Sequence, residues 1–248
     1  MNSNNPYHRG AGWYQANLSL PVISTIRRQE ARAVLELVGR YADPAGRALE
    51  VGPGTGFYTL ALARMFGEVV AVEDSAGMAG ILRGRLEGAG ARNVTVVEGD
   101  FRAVRLEGEF EVVAAIGVLD YIAEPEEFVA RMRELARRAV VVTAPQRGVW
   151  GSCFAAANRL RGTAVYRHDR GAPGRWAEGW ECTVREVGLR TPLTRGLTLV
   201  AALERPGGVS GAAGTRASTR NLLRDSCVGA CACPAESADS LTPEQETL

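Results

Sequence analysis

The stretch Glu50-Val51-Gly52-Pro53-Gly54-Thr55-Gly56 decides how this chain is read. It joins a short apolar strand, Arg47 to Val51, to a helical pattern from Phe57 to Phe66. Glycines at alternate positions permit a tight turn and let a ligand approach the backbone closely. The carboxyl end of a first strand is also where open α/β sheets bind ligands. The spacing is not the dinucleotide fingerprint G-x-G-x-x-G. Counted from Gly52, its last glycine would fall on position 57, which is Phe57.

Upstream, Ile23, Ile26, Ala31, Val34, Leu35 and Val38 recur near a 3.6-residue period and predict a helix over Pro21 to Val38. Downstream, strand and helix patterns alternate. A strand over Glu68 to Val72 ends in Glu73-Asp74, and Ser75 is placed to cap a helix to about Leu86. Asn93 to Val97 reads as a third strand, followed by Gly99-Asp100-Phe101, and Phe110 to Ile116 as a fourth. A helix from Pro125 to about Arg137 leads to a fifth strand, Ala139 to Thr143. A helix over Trp176 to Val187 and two strands, Leu189 to Leu193 and Leu197 to Glu204, complete the pattern. The short link Thr194-Arg195-Gly196 suits an antiparallel hairpin. The expected fold class is therefore α/β: a doubly wound, mostly parallel seven-stranded sheet with a terminal antiparallel hairpin.

Composition narrows the chemistry. All 29 basic residues are arginine, so lysine chemistry is excluded: no Schiff base and no P-loop lysine. A net charge of +1 gives no electrostatic case for nucleic acid or an anionic membrane. No apolar run is long enough to span a bilayer, and Met1 to Pro6 lacks the features of a signal peptide, so the cytoplasm is the expected location. From Pro206 onward glycine, alanine, serine and threonine dominate, which reads as a disordered tail. Its Cys227, Cys231 and Cys233 have no nearby fourth ligand, so no metal site is expected. The chain divides into an N-terminal helical cap segment, residues 1–40, a ligand-binding domain, residues 41–205, and the tail, residues 206–248.

Three signals stand at successive strand ends: the glycine loop, the acid pair Glu73-Asp74 and Gly99-Asp100-Phe101. An acid after strand two can accept both hydroxyls of an adenosine ribose. If Asp74 caps the next helix, Glu73 is left for that role. Asp100 is placed to accept from an adenine amino group and Phe101 to offer its ring an apolar face.

In this order the signals resemble class I S-adenosylmethionine-dependent methyltransferases of the small-molecule type, with their Rossmann-like sheet. The resemblance covers roughly residues 30 to 205. It implies S-adenosylmethionine as cofactor, held by Gly52, Gly54 and Gly56 at its methionine part, by Glu73 at the ribose and by Asp100 and Phe101 at adenine. Glu50 matches the acid that often opens the loop motif. Ala115 to Tyr121, with Ile116 on the donor side, matches the strand-four motif that faces donor and acceptor.

The resemblance implies methyl transfer to a small-molecule acceptor, with oxygen as the expected atom. His168, in the long stretch after strand five, is the candidate base, with Asp120 and Tyr121 next. Two other readings stay open: an NAD-dependent oxidoreductase on a similar sheet, and a non-catalytic module that kept the fold.

Overall fold

The computed structural model describes residues 21–148, 164–188 and 197–207, with Ser152, Ala155, Ala156 and Arg159. In chain order the elements are α1 (Pro21–Val38), β1 (Asp43–Val51), α2 (Thr59–Met65), β2 (Phe66–Glu73), α3 (Ala76–Gly88), β3 (Val94–Glu98), β4 (Phe110–Ala115), α4 (Glu126–Leu135), β5 (Ala136–Pro145), α5 (Ala172–Ala177), β6 (Glu181–Val187) and β7 (Thr198–Glu204). Short 3₁₀ turns occupy Gly39–Tyr41 and Leu119–Tyr121. The strands form one seven-stranded sheet in the order β3-β2-β1-β4-β5-β7-β6. The first five are parallel, and β7 runs antiparallel between β5 and β6.

Both sheet faces are covered, so the central strands are apolar throughout. β4 is buried at every position. Alternate residues of β5 serve opposite layers. Ala139 and Val141 meet Val34, Val38 and Leu62 of α1 and α2. Val140 and Val142 meet Phe128, Val129 and Met132 of α4 and Trp176 of α5. Each such aliphatic side chain stabilises the fold by about 1.5–3 kcal/mol relative to exposure. Ser75 caps α3 as expected, its hydroxyl accepting from the Met78 backbone N–H at 3.4 Å. No helix of the described residues is long and apolar enough to cross a membrane.

The helix expected over Trp176 to Val187 is corrected. α5 stops at Ala177, Glu178 adopts a left-handed backbone (φ 45°, ψ 61°) and Gly179 follows at φ 89°. Glu181–Val187 is instead the edge strand β6. Its inward positions Thr183, Arg185 and Val187 alternate with the exposed Cys182, Val184 and Glu186. With Thr183 and Arg185 inward and Cys182 and Val184 exposed, the strand lacks a clean apolar-polar alternation, and the left-handed turn marks where the helix ends. A terminal antiparallel pair is present, as the fold class requires, but its first strand is β6 and not the expected Leu189 to Leu193: pairing runs from Glu181 with Glu204 to Val187 with Thr198. The expected strand Leu189 to Leu193, the tail cysteines and residues 1–20 and 208–248 lie outside the described residues.

Candidate active site

β1 delivers Glu50 and then the glycine loop to the carboxyl edge of the sheet. Gly52, Gly54 and Gly56 adopt φ values of +66°, +58° and +86°. That left-handed backbone costs other residues about 1–2 kcal/mol each. A Cβ on Gly52 would stand 2.6 Å from Val118 Cγ2, and one on Gly56 2.4 Å from Leu82 Cδ1. A Cβ on Gly54 would meet nothing within 4 Å. Two of the glycines thus serve packing, and the middle one faces open space. Glu73, at the end of β2, closes the loop: its carboxylate accepts from Gly54 N at 2.9 Å and from Ser75 N at 3.0 Å. Burial raises the Glu73 pKa, and these two N–H groups oppose the shift. Asp74 is exposed and Ser75 does the capping, which leaves Glu73 facing the loop.

Glu50 is buried at 2% exposure, and its Oε2 has no hydrogen-bond partner among the described residues. Loss of water lifts its pKa to about 7. The Thr59 hydroxyl beside it opposes the shift without completing a hydrogen bond, and the Glu73 carboxylate adds to it. Asp100 follows β3 at the same edge. Its carboxylate is paired with Arg102 at 2.7 Å, which holds its pKa below the ordinary range. Phe101 is a core residue, edge-on to Phe128 at 5.0 Å. Ile116 is half-buried against the α1 layer, and Gly117 N donates to Thr143 Oγ1 at 2.7 Å.

A second group gathers around the Leu119–Tyr121 turn. Tyr166 N donates to the Asp120 carbonyl at 2.8 Å, which holds the segment after β5 against the strand-four motif. His168 is buried, with Nε2 3.2 Å from the Leu119 carbonyl and its ring edge-on to Trp176 at 5.1 Å. In the neutral ring Nε2–H donates to that carbonyl, leaving Nδ1 as the basic nitrogen. Burial lowers the His168 pKa, and the bond to Leu119 opposes this. Asp120 keeps part of its surface accessible, yet crowding around its carboxyl lifts the pKa to about 7, with Glu30 adding repulsion and Arg27 opposing. Tyr121 is exposed.

Residues 48–139, which hold the loop, Glu73, Asp100 and the strand-four motif, match a family model described as a methyltransferase domain. Magnesium protoporphyrin IX methyltransferase from Synechocystis PCC 6803, crystallised with SAH, has the same fold. The TM-score is 0.64 at 18% identity, over 80% of this chain and 96% of that one. Residues 48–139 are thus similar to a methyltransferase domain, and the sheet as a whole has the class I methyltransferase fold. Protein-L-isoaspartate O-methyltransferase from Methanoregula boonei is 42% identical over 57 residues, 23% of this chain and 26% of that protein. Protein-L-isoaspartate O-methyltransferase 2 from Rhodopseudomonas palustris is 29% identical over 119 residues, 48% of this chain and 54% of that protein. The chain thus spans from about a quarter to about half the length of these curated relatives.

The candidate site also contains residues that the sequence did not announce. Arg85 of α3 ties down the loop through the Thr55 carbonyl at 2.9 Å. Glu30 of α1 is buried, and the Tyr58 hydroxyl donates to its Oε1 at 3.4 Å. Burial raises the Glu30 pKa, opposed by Arg27, Tyr58 and Thr198. Its spacing held the signal: position 30 falls four residues after Ile26 and four before Val34, on the apolar face of α1.

Proposed function

We propose that this domain transfers a methyl group from S-adenosylmethionine to a small-molecule acceptor, at oxygen. The observation that carries the reading is Glu50. A buried carboxyl with one oxygen left without a hydrogen-bond donor is costly, and a ligand bringing positive charge offsets that cost. S-adenosylmethionine when bound supplies an ammonium, a sulfonium and an already activated methyl group.

The remaining work falls to the chain. The space over Gly54 admits the ligand close to backbone. Each Glu73 oxygen takes one backbone N–H, so lone pairs remain for two ribose hydroxyls. Asp100, kept ionised by Arg102, is the acceptor for the adenine amino group. Around the Leu119–Tyr121 turn the protein positions the acceptor in line and excludes water. Neutral His168, through Nδ1, takes the proton if the acceptor is a hydroxyl, with Asp120 and Tyr121 next in order.

The sheet order speaks against a nicotinamide enzyme, because the antiparallel β7 enters where the dinucleotide fold continues with a parallel strand. Calorimetric titration of the chain with S-adenosylhomocysteine and with NAD tests the cofactor. Binding of the first alone is expected, and binding of NAD alone would overturn the reading. Radiolabelled methyl transfer to a panel of hydroxyl, carboxyl and amine acceptors then tests the reaction. Ligand binding with no turnover on any acceptor would leave a binding module.

A further inference from the structure

The stretch from Gln146 to Arg175 carries six arginines and a single acid, Asp169, in a chain whose net charge is only +1. That acid is already committed: Arg175 holds it with Nη1 at 3.0 Å from one oxygen and Nη2 at 2.6 Å from the other. Arg170 is paired with Glu186 at 2.7 Å. Arg147 and Arg167 have no acid partner among the described residues. Arg147 Nε donates to the Arg167 carbonyl at 3.2 Å, and Arg167 Nη1 reaches the Ser152 hydroxyl. These contacts fix where the guanidinium groups sit without forming an ion pair, although Arg147 also feels the Asp169 carboxylate at longer range.

The position of this pair is set by the fold. Arg147 leaves the carboxyl end of β5, and its N–H donates to the His168 carbonyl at 2.9 Å. Arg167 stands between Tyr166, bonded to the Asp120 carbonyl, and His168, bonded to the Leu119 carbonyl. Both cations therefore flank the turn assigned above to the acceptor. Nearby, the buried atoms Gln146 Oε1, next to Arg147, and Trp176 Nε1 of α5, whose ring meets His168, lack a hydrogen-bond partner among the described residues. The indole N–H is a donor, and a buried donor left unpaired is what a bound acceptor group would satisfy.

We infer that the acceptor is a small anionic molecule whose oxyanion group, a carboxylate or a phosphate-like group, is seated by Arg147 and Arg167 beside the Leu119–Tyr121 turn. The inference rests on the methyl-transfer reading. Guanidinium suits planar or tetrahedral oxyanions because its N–H groups engage two oxygens at once. An anchored oxyanion leaves the rest of the molecule to face the donor. His168 is neutral, and the raised pKa of Asp120 reduces its repulsion of an anion.

The test uses the full chain saturated with S-adenosylhomocysteine. It is titrated with pyrophosphate and, in a separate arm, with succinate, which distinguishes the two oxyanion classes. Binding of at least one probe is expected, weakening with added salt and falling tenfold or more in the Arg147→Gln/Arg167→Gln double variant. The double lysine variant, which keeps the charge, should recover part of the loss, and S-adenosylhomocysteine affinity should stay within twofold throughout. If the double variant fails to fold, the exposed Arg147→Gln alone is measured, with a threefold loss expected. Probe binding that ignores these substitutions, or no probe binding to a chain that binds S-adenosylhomocysteine, overturns the inference. Failure to bind S-adenosylhomocysteine sinks the methyl-transfer reading itself, and the inference with it.

Discussion

At Glu50 burial lifts a carboxyl pKa from 4.5 to about 7, and this has consequences for stability as well as binding. Near pH 4 the group is largely protonated in folded and unfolded chains alike. Between there and pH 7 the unfolded chain ionises while the folded one keeps its proton, so the fold loses stability as pH rises. The loss reaches about 3 kcal/mol once both states are ionised, because each pH unit between the two pKa values is worth about 1.36 kcal/mol. Glu50→Gln should therefore stabilise the ligand-free chain by about 1–3 kcal/mol at pH 8 and leave it unchanged near pH 4, as read from urea midpoints. The same variant should bind S-adenosylmethionine at least about tenfold more weakly, on the scale of about 1.4 kcal/mol per decade.

His168 has two roles to separate, because its ring also bridges to Leu119. On a hydroxyl acceptor, His168→Ala should slow turnover by about 10²–10⁴-fold. His168→Asn keeps a donor for the Leu119 carbonyl but supplies no base. Restored turnover in the asparagine variant would make the histidine a positioning residue. In the native enzyme the acidic limb of the rate profile should lie below the ordinary histidine pKa, since burial depresses it. The glycine loop, Glu50, Glu73 and Asp100 are legible in the sequence because each sits at a strand end in a fixed order. Glu30, Arg85 and the Arg147–Arg167 pair are not, since their roles depend on which helix or segment folds against the sheet. Phe101 reads in sequence as a ring for adenine, and its place in the core shows that sequence order alone does not separate a strand-end contact from packing.

The glycine loop makes the strongest statement at the level of elements, since its three glycines answer to different constraints. Gly52→Ala and Gly56→Ala combine left-handed strain with steric overlap, against Val118 and Leu82 respectively. Each should lower stability by about 2–4 kcal/mol, the combined scale of strain and overpacking. Gly54→Ala meets open space, so it should cost only about 1–2 kcal/mol of strain while weakening S-adenosylhomocysteine at least about tenfold. Thermal melts with and without ligand distinguish the two patterns, and equal behaviour at all three positions would refute the division. Helix α1 is legible from Pro21 to Val38, because Ile23, Ile26, Val34, Leu35 and Val38 keep a helical period that only the buried Glu30 interrupts. The inner strands are legible in kind but short at their ends. β5 reaches from Ala136 to Pro145, beyond the stretch Ala139 to Thr143 that marks it in sequence, because Ala136 pairs with Phe110 of β4 at one end and Ala144 and Pro145 pair with β7 at the other. β6 is not legible: only the left-handed Glu178 and Gly179 mark where the helix yields to a strand.

At the scale of the whole molecule, the half of the sheet beyond β4 departs from chain order at a single place. β7 lies between β5 and β6, and its central residues Leu199 to Leu203 are buried. Arg205, just beyond it, still donates its N–H to the Arg138 carbonyl at 2.9 Å. Truncation after Gly207 should therefore leave the melting temperature and ligand affinity unchanged. Truncation before Thr198 should abolish cooperative unfolding, because five buried residues are lost and β5 and β6 are left without a shared neighbour. Differential scanning calorimetry of both truncations checks this. During synthesis the glycine loop, Glu50 and Glu73 emerge early, yet the sheet that supports them stays open on one side until the strand ending at Glu204 has cleared the ribosome. Every nascent chain thus passes through an interval with the ligand-binding half translated and the β5 edge exposed, the state most vulnerable to pairing with another chain or to proteolysis.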